Sequence, residues 1–180
     1  MVFNVKSGRI TTVNEPLSTN ILNTNTMKIE SFAFLNEEEI PSRFTCDGEN
    51  INPELTFKDV PKNAKSLAFI MDDPDIPQSV KEKYGINVWD HWVMWNIPPV
   101  TTEVDQGSEP VDAVVGLNSS GKNEYTGPCP PDREHRYLFK LYALDKILDL
   151  PQATKASDLV KAMQGHIIAE AELIGRYERK

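Results

Sequence analysis

The sequence predicts a predominantly β domain, and three observations carry that expectation. The apolar residues come in short runs bounded by turn formers, 13 prolines and 9 glycines punctuate the 180 residues, and helical spacing is clear in only one late stretch. The length suits one domain with a sizeable core. No repeat, coiled coil or low-complexity block interrupts it.

Residues 1–26 are polar, rich in Asn, Thr and Ser, and read as a loosely attached arm ahead of a domain over 27–180. They lack the positive start and apolar stretch of a signal peptide, so a cytoplasmic location is expected. Met27 opens a first strand running to Phe34. Arg43-Phe44-Thr45 reads as a short strand, Cys46–Asn50 as a turn and Asn52–Phe57 as another extended piece. Ser66–Met71 (SLAFIM) is apolar throughout and reads as a buried strand, which Asp72-Asp73-Pro74-Asp75-Ile76-Pro77 ends abruptly. Gln78–Asn87 is a polar excursion. Trp89–Ile97 (WDHWVMWNI) is the next central strand, and strict alternation puts Trp89, His91, Val93 and Trp95 on one face. Thr101–Tyr125 reads as a long surface excursion; its Asn118-Ser119-Ser120 matches a glycosylation acceptor, which has meaning only on secretion. Leu138–Leu144 is a further buried strand. The last element is the clearest helix: Leu159, Met163, Ile167, Ala171 and Ile174 follow helical spacing, Gly175 is its stop, and His166 packs at the core edge.

Charge narrows the function classes. A net charge of −8 and a pI near 4.9 oppose non-specific nucleic-acid binding and a polybasic membrane patch. No apolar run approaches the roughly 20 residues of a membrane span. Three carboxylates within four positions, Asp72, Asp73 and Asp75, repel one another unless paired or solvated. Cys46 and Cys129 make neither a disulfide framework nor a zinc site by count. Free thiols are the default, and a single bridge is open to them if their loops meet.

One stretch organises the chain. Gly127–Asp145 (GPCPPDREHRYLFKLYALD) joins a stiff, donor-poor loop to a buried strand through the polar trio His135, Arg136 and Tyr137. On its own it reads as a proline-rich turn entering the core, with His135 satisfied by a backbone partner.

Together the motifs resemble a known family. Asp73-Pro74-Asp75-Ile76-Pro77, then His91-Trp92-Val93-Met94-Trp95-Asn96, then Gly127-Pro128-Cys129-Pro130-Pro131 followed by His135-Arg136-Tyr137, are similar to the phosphatidylethanolamine-binding proteins, in particular the prokaryotic Raf kinase inhibitor-like branch. Cys46–Asn50 and Gly165–Ala171 resemble that branch too. The resemblance implies an antiparallel β-sandwich with a Greek-key core, a C-terminal helix and short peripheral helices. It also implies a small pocket for phosphate or a phosphorylated headgroup, formed by Asp73, His91, Pro131, His135 and Tyr137. Asp75, Trp89, Gly127, Cys129 and Pro130 would surround it. No cofactor is implied. Two places depart from the pattern: Asp132-Arg133-Glu134 stands where many relatives have a glycine-containing stretch, and Pro53-Glu54 replaces a double proline.

The residues fit anion binding on their own chemistry. Histidine titrates near neutral pH, Asp73 can orient an imidazole by accepting its N–H, and the Tyr137 hydroxyl can donate to an anion oxygen. The alternatives are a regulatory inhibitor of a kinase or protease, touching its partner through the acidic 132–134 rim, and a hydrolase using Cys129 and His135. Asp73, His91 and His135 are also ligand types for a metal. Homodimer formation is left open.

Overall fold

The computed structural model describes residues 26–180; the expected arm over 1–26 therefore lies, but for its last residue, outside the described residues. Among the described residues nine strands form two sheets. The small sheet joins β1 (Lys28–Glu30), β3 (Leu55–Lys58) and β6 (Glu103–Val104), in the order β1-β3-β6. The large sheet contains β2 (Glu38–Glu39), β4 (Ser66–Asp73), β5 (Trp89–Ile97), β7 (Val114–Val115), β8 (His135–Leu144) and β9 (Ile167–Tyr177). Its order is β2-β9-β8-β4-β5-β7. Within it β4, β5 and β7 are successive antiparallel neighbours, and β8 then returns to lie antiparallel beside β4. That return is the Greek-key connection. Among the paired strands of the described residues, only β2 with β9 is parallel.

Alternation explains the layers. Ile29, Leu55 and Phe57 of the small sheet bury against Phe69, Trp92, Met94, Phe139, Leu141 and Leu173 of the large one. The opposite face of the large sheet carries Ala68, Ile70, Val93 and Trp95, covered by Leu159 and Met163 of α2 (Ala156–Met163). Because β4 is covered on both faces, every one of its residues is buried. This is why it reads as a continuous apolar run rather than an alternating one.

Three sequence expectations need correction. The late helix stops at Met163, and Gly165, at φ 77°, turns the chain into β9, so the sandwich ends on a strand. Pairing with β8 from His135↔Tyr177 to Leu144↔Ile167 outweighs the accidental helical spacing of Ile167, Ala171 and Ile174. His166, left in the turn, is half-exposed and bonds Asp145 Oδ1 at 2.8 Å. Second, Arg43-Phe44-Thr45 is not a strand: Ser42–Phe44 is a single 3-10 turn. Third, Gln78–Asn87 is partly helical. The helix α1 (Gln78–Tyr84) follows Pro77 and closes on Gly85 in the left-handed conformation, the usual proline-before, glycine-after signature.

Strict alternation in β5 also fails. Successive β4 residues Met71 and Asp72 face Trp92 and Asp90, so His91 is an extra residue on β5. This bulge swings His91 to the side of Tyr137, whose ring it meets edge-on at 5.3 Å, while Val93 and Trp95 keep to the α2 side. Bulges re-aim side chains in this way.

Candidate functional site

The mouth of the sandwich is built by three adjacent strands. β5, β4 and β8 bring Trp89 and His91, Asp73, and His135 to one end of the large sheet. Here α1 and the 118–131 loop wall off a cavity of about 420 Å³. The candidate residues Asp73, His91, Pro131 and His135 line it, as do Trp89, Gly127 and Cys129. Tyr137 lies wholly buried against the His91 ring. Tyr137, Asp75 and Pro130 are not among the lining residues.

The three crowded carboxylates separate onto three different partners. Asp72 turns to the α2 face and takes Lys140 Nζ at 2.6 Å. Asp73 Oδ2 accepts from His135 Nδ1 at 2.7 Å. Asp75 receives Arg136 through Nε and Nη2, both at 2.8 Å, and the Arg136 backbone N–H at 3.0 Å. That fork holds the Asp75 carboxyl down at about 2. Burial dominates at Asp73 and raises its pKa, with the His135 hydrogen bond opposing.

His91 is set differently. Its Nδ1 lies 2.6 Å from the Thr126 carbonyl, and a carbonyl only accepts, so Nδ1 carries the proton and Nε2 remains an acceptor. Burial depresses its pKa to about 4, the Thr126 bond opposes, and nearby His135 adds to the depression. The ring is therefore neutral at neutral pH. His135 has both nitrogens engaged: Nε2 lies 2.9 Å from Asp132 Oδ1. The expected backbone partner is replaced by two carboxylates, one of them an unforeseen loop residue. The Tyr137 hydroxyl is buried without a hydrogen-bond partner. Burial, reinforced by Asp73 and opposed by the Cys129 amide, raises its pKa beyond the usual phenol range.

The loop walls are pinned from outside. Cys46 and Cys129 form a disulfide, Cys46 N–H donates to the Pro128 carbonyl, and Tyr125 Oη donates to the Phe44 carbonyl at 2.7 Å. Gly127 N–H donates to Asn50 Oδ1 at 2.8 Å, and a Cβ on Gly127 would sit 2.5 Å from the Phe44 carbonyl oxygen. Only glycine admits that approach. Asn118 is buried at 2% exposure; its amide donates to the Glu124 carbonyl and Thr126 Oγ1. It is a loop brace rather than an acceptor for a glycan.

Two readings lose their chemistry here. With Cys129 in a disulfide there is no thiolate for His135 to activate. Among the described residues no group of three or more His, Cys, Asp or Glu is arranged to hold a metal ion, and His135 has no nitrogen left over for one.

Comparison with known proteins follows the same geometry. A family model described as Phosphatidylethanolamine-binding protein matches residues 30–178. The chain belongs to the phosphatidylethanolamine-binding protein family. A UPF0098 protein of Methanothermobacter thermautotrophicus is 49% identical over 158 residues, covering 85% of this chain and 99% of that protein. Another, from Chlamydia trachomatis, is 45% identical over 153 residues, with the same shares covered. Among solved structures, a Chlamydia trachomatis protein described as a phosphatidylethanolamine-binding protein homologue superposes with a TM-score of 0.82 at 44% identity, covering 87% of this chain and 100% of its own. Escherichia coli YbcL, described as a member of the mammalian family, gives 0.76 at 28% identity, covering 86% and 99%. Among the described residues no helix is long and apolar enough to cross a membrane.

The lining that sequence reading missed comes from the turn before α1 (Ile76), from α1 itself (Val80, Lys83 and Tyr84) and from the long loop (Ser120 and Thr126). The Pro77 and Gly85 bracket was the available signal for α1. Thr126 carried none, because it acts through its backbone carbonyl.

Proposed function

We propose that the cavity at the sandwich mouth binds a small oxyanion, phosphate or a phosphorylated headgroup, and that the protein works by binding rather than catalysis. One observation carries this reading: His91 and His135 line a walled cavity at one end of the sheet, and the unpartnered Tyr137 hydroxyl is buried behind the His91 ring. Each offers something to a phosphate. The Tyr137 O–H is a free donor, His135 Nε2 is a donor once Asp132 gives it up, and neutral His91 Nε2 accepts from a protonated phosphate oxygen. The apolar residues Ile76, Val80 and Trp89 beside them suit an anion carrying an organic group. The family's name refers to phosphatidylethanolamine, whose headgroup carries a phosphoryl group.

The inhibitor reading has less behind it. The acidic rim it would use is engaged internally, Glu134 with Arg176 and Asp132 with His135 and Arg133.

The test is a titration with phosphate and phosphoethanolamine, following the histidine ring signals by NMR. The expected result is saturable shifts at His91 and His135, lost in His135→Ala. Undiminished binding by a folded His135→Ala variant would refute the site.

A further inference from the structure

We propose that Asp132 is an internal ligand of this pocket, a carboxylate that any oxyanion must displace from His135. The proposal rests on the anion-pocket reading and adds its regulation and its selectivity.

The geometry is that of an occupied site. His135 is fully buried, and its two ring nitrogens both face carboxylates, Asp73 Oδ2 at 2.7 Å and Asp132 Oδ1 at 2.9 Å. With both in place His135 has no donor to offer. The two carboxylates are not equivalent. Asp73 is 3% exposed, is fixed in β4, and also accepts the Asp75 backbone N–H at 2.8 Å. Asp132 has a side chain 43% exposed and sits in the exposed 131–134 segment. Asp132 is the partner that can leave.

The rest of the arrangement imitates a bound anion. One Asp132 oxygen meets His135, the other meets Arg133 Nη1 at 3.1 Å, and Arg133 Nη2 reaches back to the Asp75 carbonyl at 3.3 Å. An incoming phosphate takes the His135 Nε2 position and meets an Arg133 released from its carboxylate. A tethered carboxylate also competes at high effective concentration. A free monocarboxylate offers His135 nothing that Asp132 does not already supply, whereas a phosphoryl group brings more charge and a third oxygen. The loop thereby selects for phosphoryl groups over simple carboxylates.

The apparent affinity of a site is reduced by the fraction of molecules in which it is open. If Asp132 leaves His135 open in about a tenth of molecules or fewer, its removal tightens phosphate binding by about tenfold or more. The experiment titrates inorganic phosphate, and separately acetate, into wild type, Asp132→Ala, Asp132→Asn and Glu134→Gln, reading the His135 ring signals. Backbone amide spectra check that each variant is folded, and the isosteric Asp132→Asn serves if the alanine variant is not.

The expected result is phosphate binding at least tenfold tighter in Asp132→Ala. Acetate should shift His135 in that variant and leave wild type unmoved. Glu134→Gln removes an equal charge from the same loop without touching His135 and should bind within about threefold of wild type. Equal phosphate affinity in wild type and Asp132→Ala, with His135 responding in both, overturns the internal ligand and leaves the pocket standing. Equal tightening in Glu134→Gln overturns it as well, because the effect is then bulk charge. No response in any folded variant overturns the pocket and the internal ligand together.

Discussion

Acidification should weaken the fold through His91, and the size of that effect follows from its surroundings. His91 is 4% exposed and its pKa is depressed to about 4, whereas an unfolded histidine titrates near 6.5. The unfolded chain therefore takes up the proton more readily. Stability from the neutral ring is fully present above about pH 6.5 and is lost as the pH falls toward about 4. By about pH 5 the loss is roughly 2 kcal/mol, and across the whole window roughly 3 kcal/mol. Asp90, which burial pushes up to about 6, acts in the opposite sense over the same range, so a wild-type profile alone does not isolate His91.

A difference measurement does. His91→Gln keeps an N–H for the Thr126 carbonyl and does not titrate. Urea unfolding of both proteins near pH 7 and near pH 5 should show wild type losing about 2 kcal/mol more than the variant. The offset between the proteins at pH 7 does not enter. If both lost the same amount to within about 0.5 kcal/mol, His91 would not be held neutral in the folded protein, and the account of the pocket's electrostatics would fail.

Three further outcomes are expected. Tyr137→Phe removes a buried hydroxyl that lacks a partner, so thermal stability should hold or rise by about 1 kcal/mol, while phosphate affinity falls by roughly tenfold; a loss of stability with unchanged binding would contradict both halves. Gly175→Ala places a Cβ 2.5 Å from Ile40 Cγ1 and 2.9 Å from Phe34 Cε2. Both neighbours are buried, so urea melts should show a loss of about 1–3 kcal/mol, and an unchanged midpoint would show that this strand packs less tightly than described. Replacing Cys46 and Cys129 together by serine opens a bridge between residues separated by 83 positions. The loss should be on the order of 3–4 kcal/mol, read by denaturant unfolding, and near-equal stability would mean that the loop clamps suffice without it.

Much of the architecture was legible because burial leaves local marks. Ser66–Met71 and Leu138–Leu144 read as strands from their apolar runs, and the ordered motifs pointed to the family. Asp73, His91, Pro131 and His135 were named from sequence, and all four line one cavity. What escaped was non-local. The β9 segment has its apolar residues at spacings that suit a helix, and only its pairing with β8 decides the matter. The bulge at His91 follows from the register with β4, which no window of β5 contains. The Cys46–Cys129 bridge depends on two loops meeting, so count and spacing left it open. Asp132 looked like a charge on the rim. Its bond to His135, three residues later, arises because the loop folds back over the strand mouth.

The site is assembled against the grain of stability, and the loop clamps make sense in that light. A neutral histidine under the rim, an unpartnered phenol and an imidazole between two carboxylates each cost folding free energy that an apolar filling would not. Such groups stay in place only where the surroundings over-determine them. Here β4, β5 and β8 fix three of them by register, while the disulfide, the Tyr125 and Asn50 hydrogen bonds and the close approach at Gly127 fix the wall opposite. The 131–134 segment is the exception: exposed, and joined to the site through Asp132 and Arg133. On the proposal that Asp132 yields to an oxyanion, the pocket would bind by exchanging partners rather than by reshaping. Ligand binding should accordingly perturb residues 131–135 and leave the strand amides of β4 and β5 nearly unmoved, and amide shift mapping during the phosphate titration would show shifts spread through those strands if that argument were wrong.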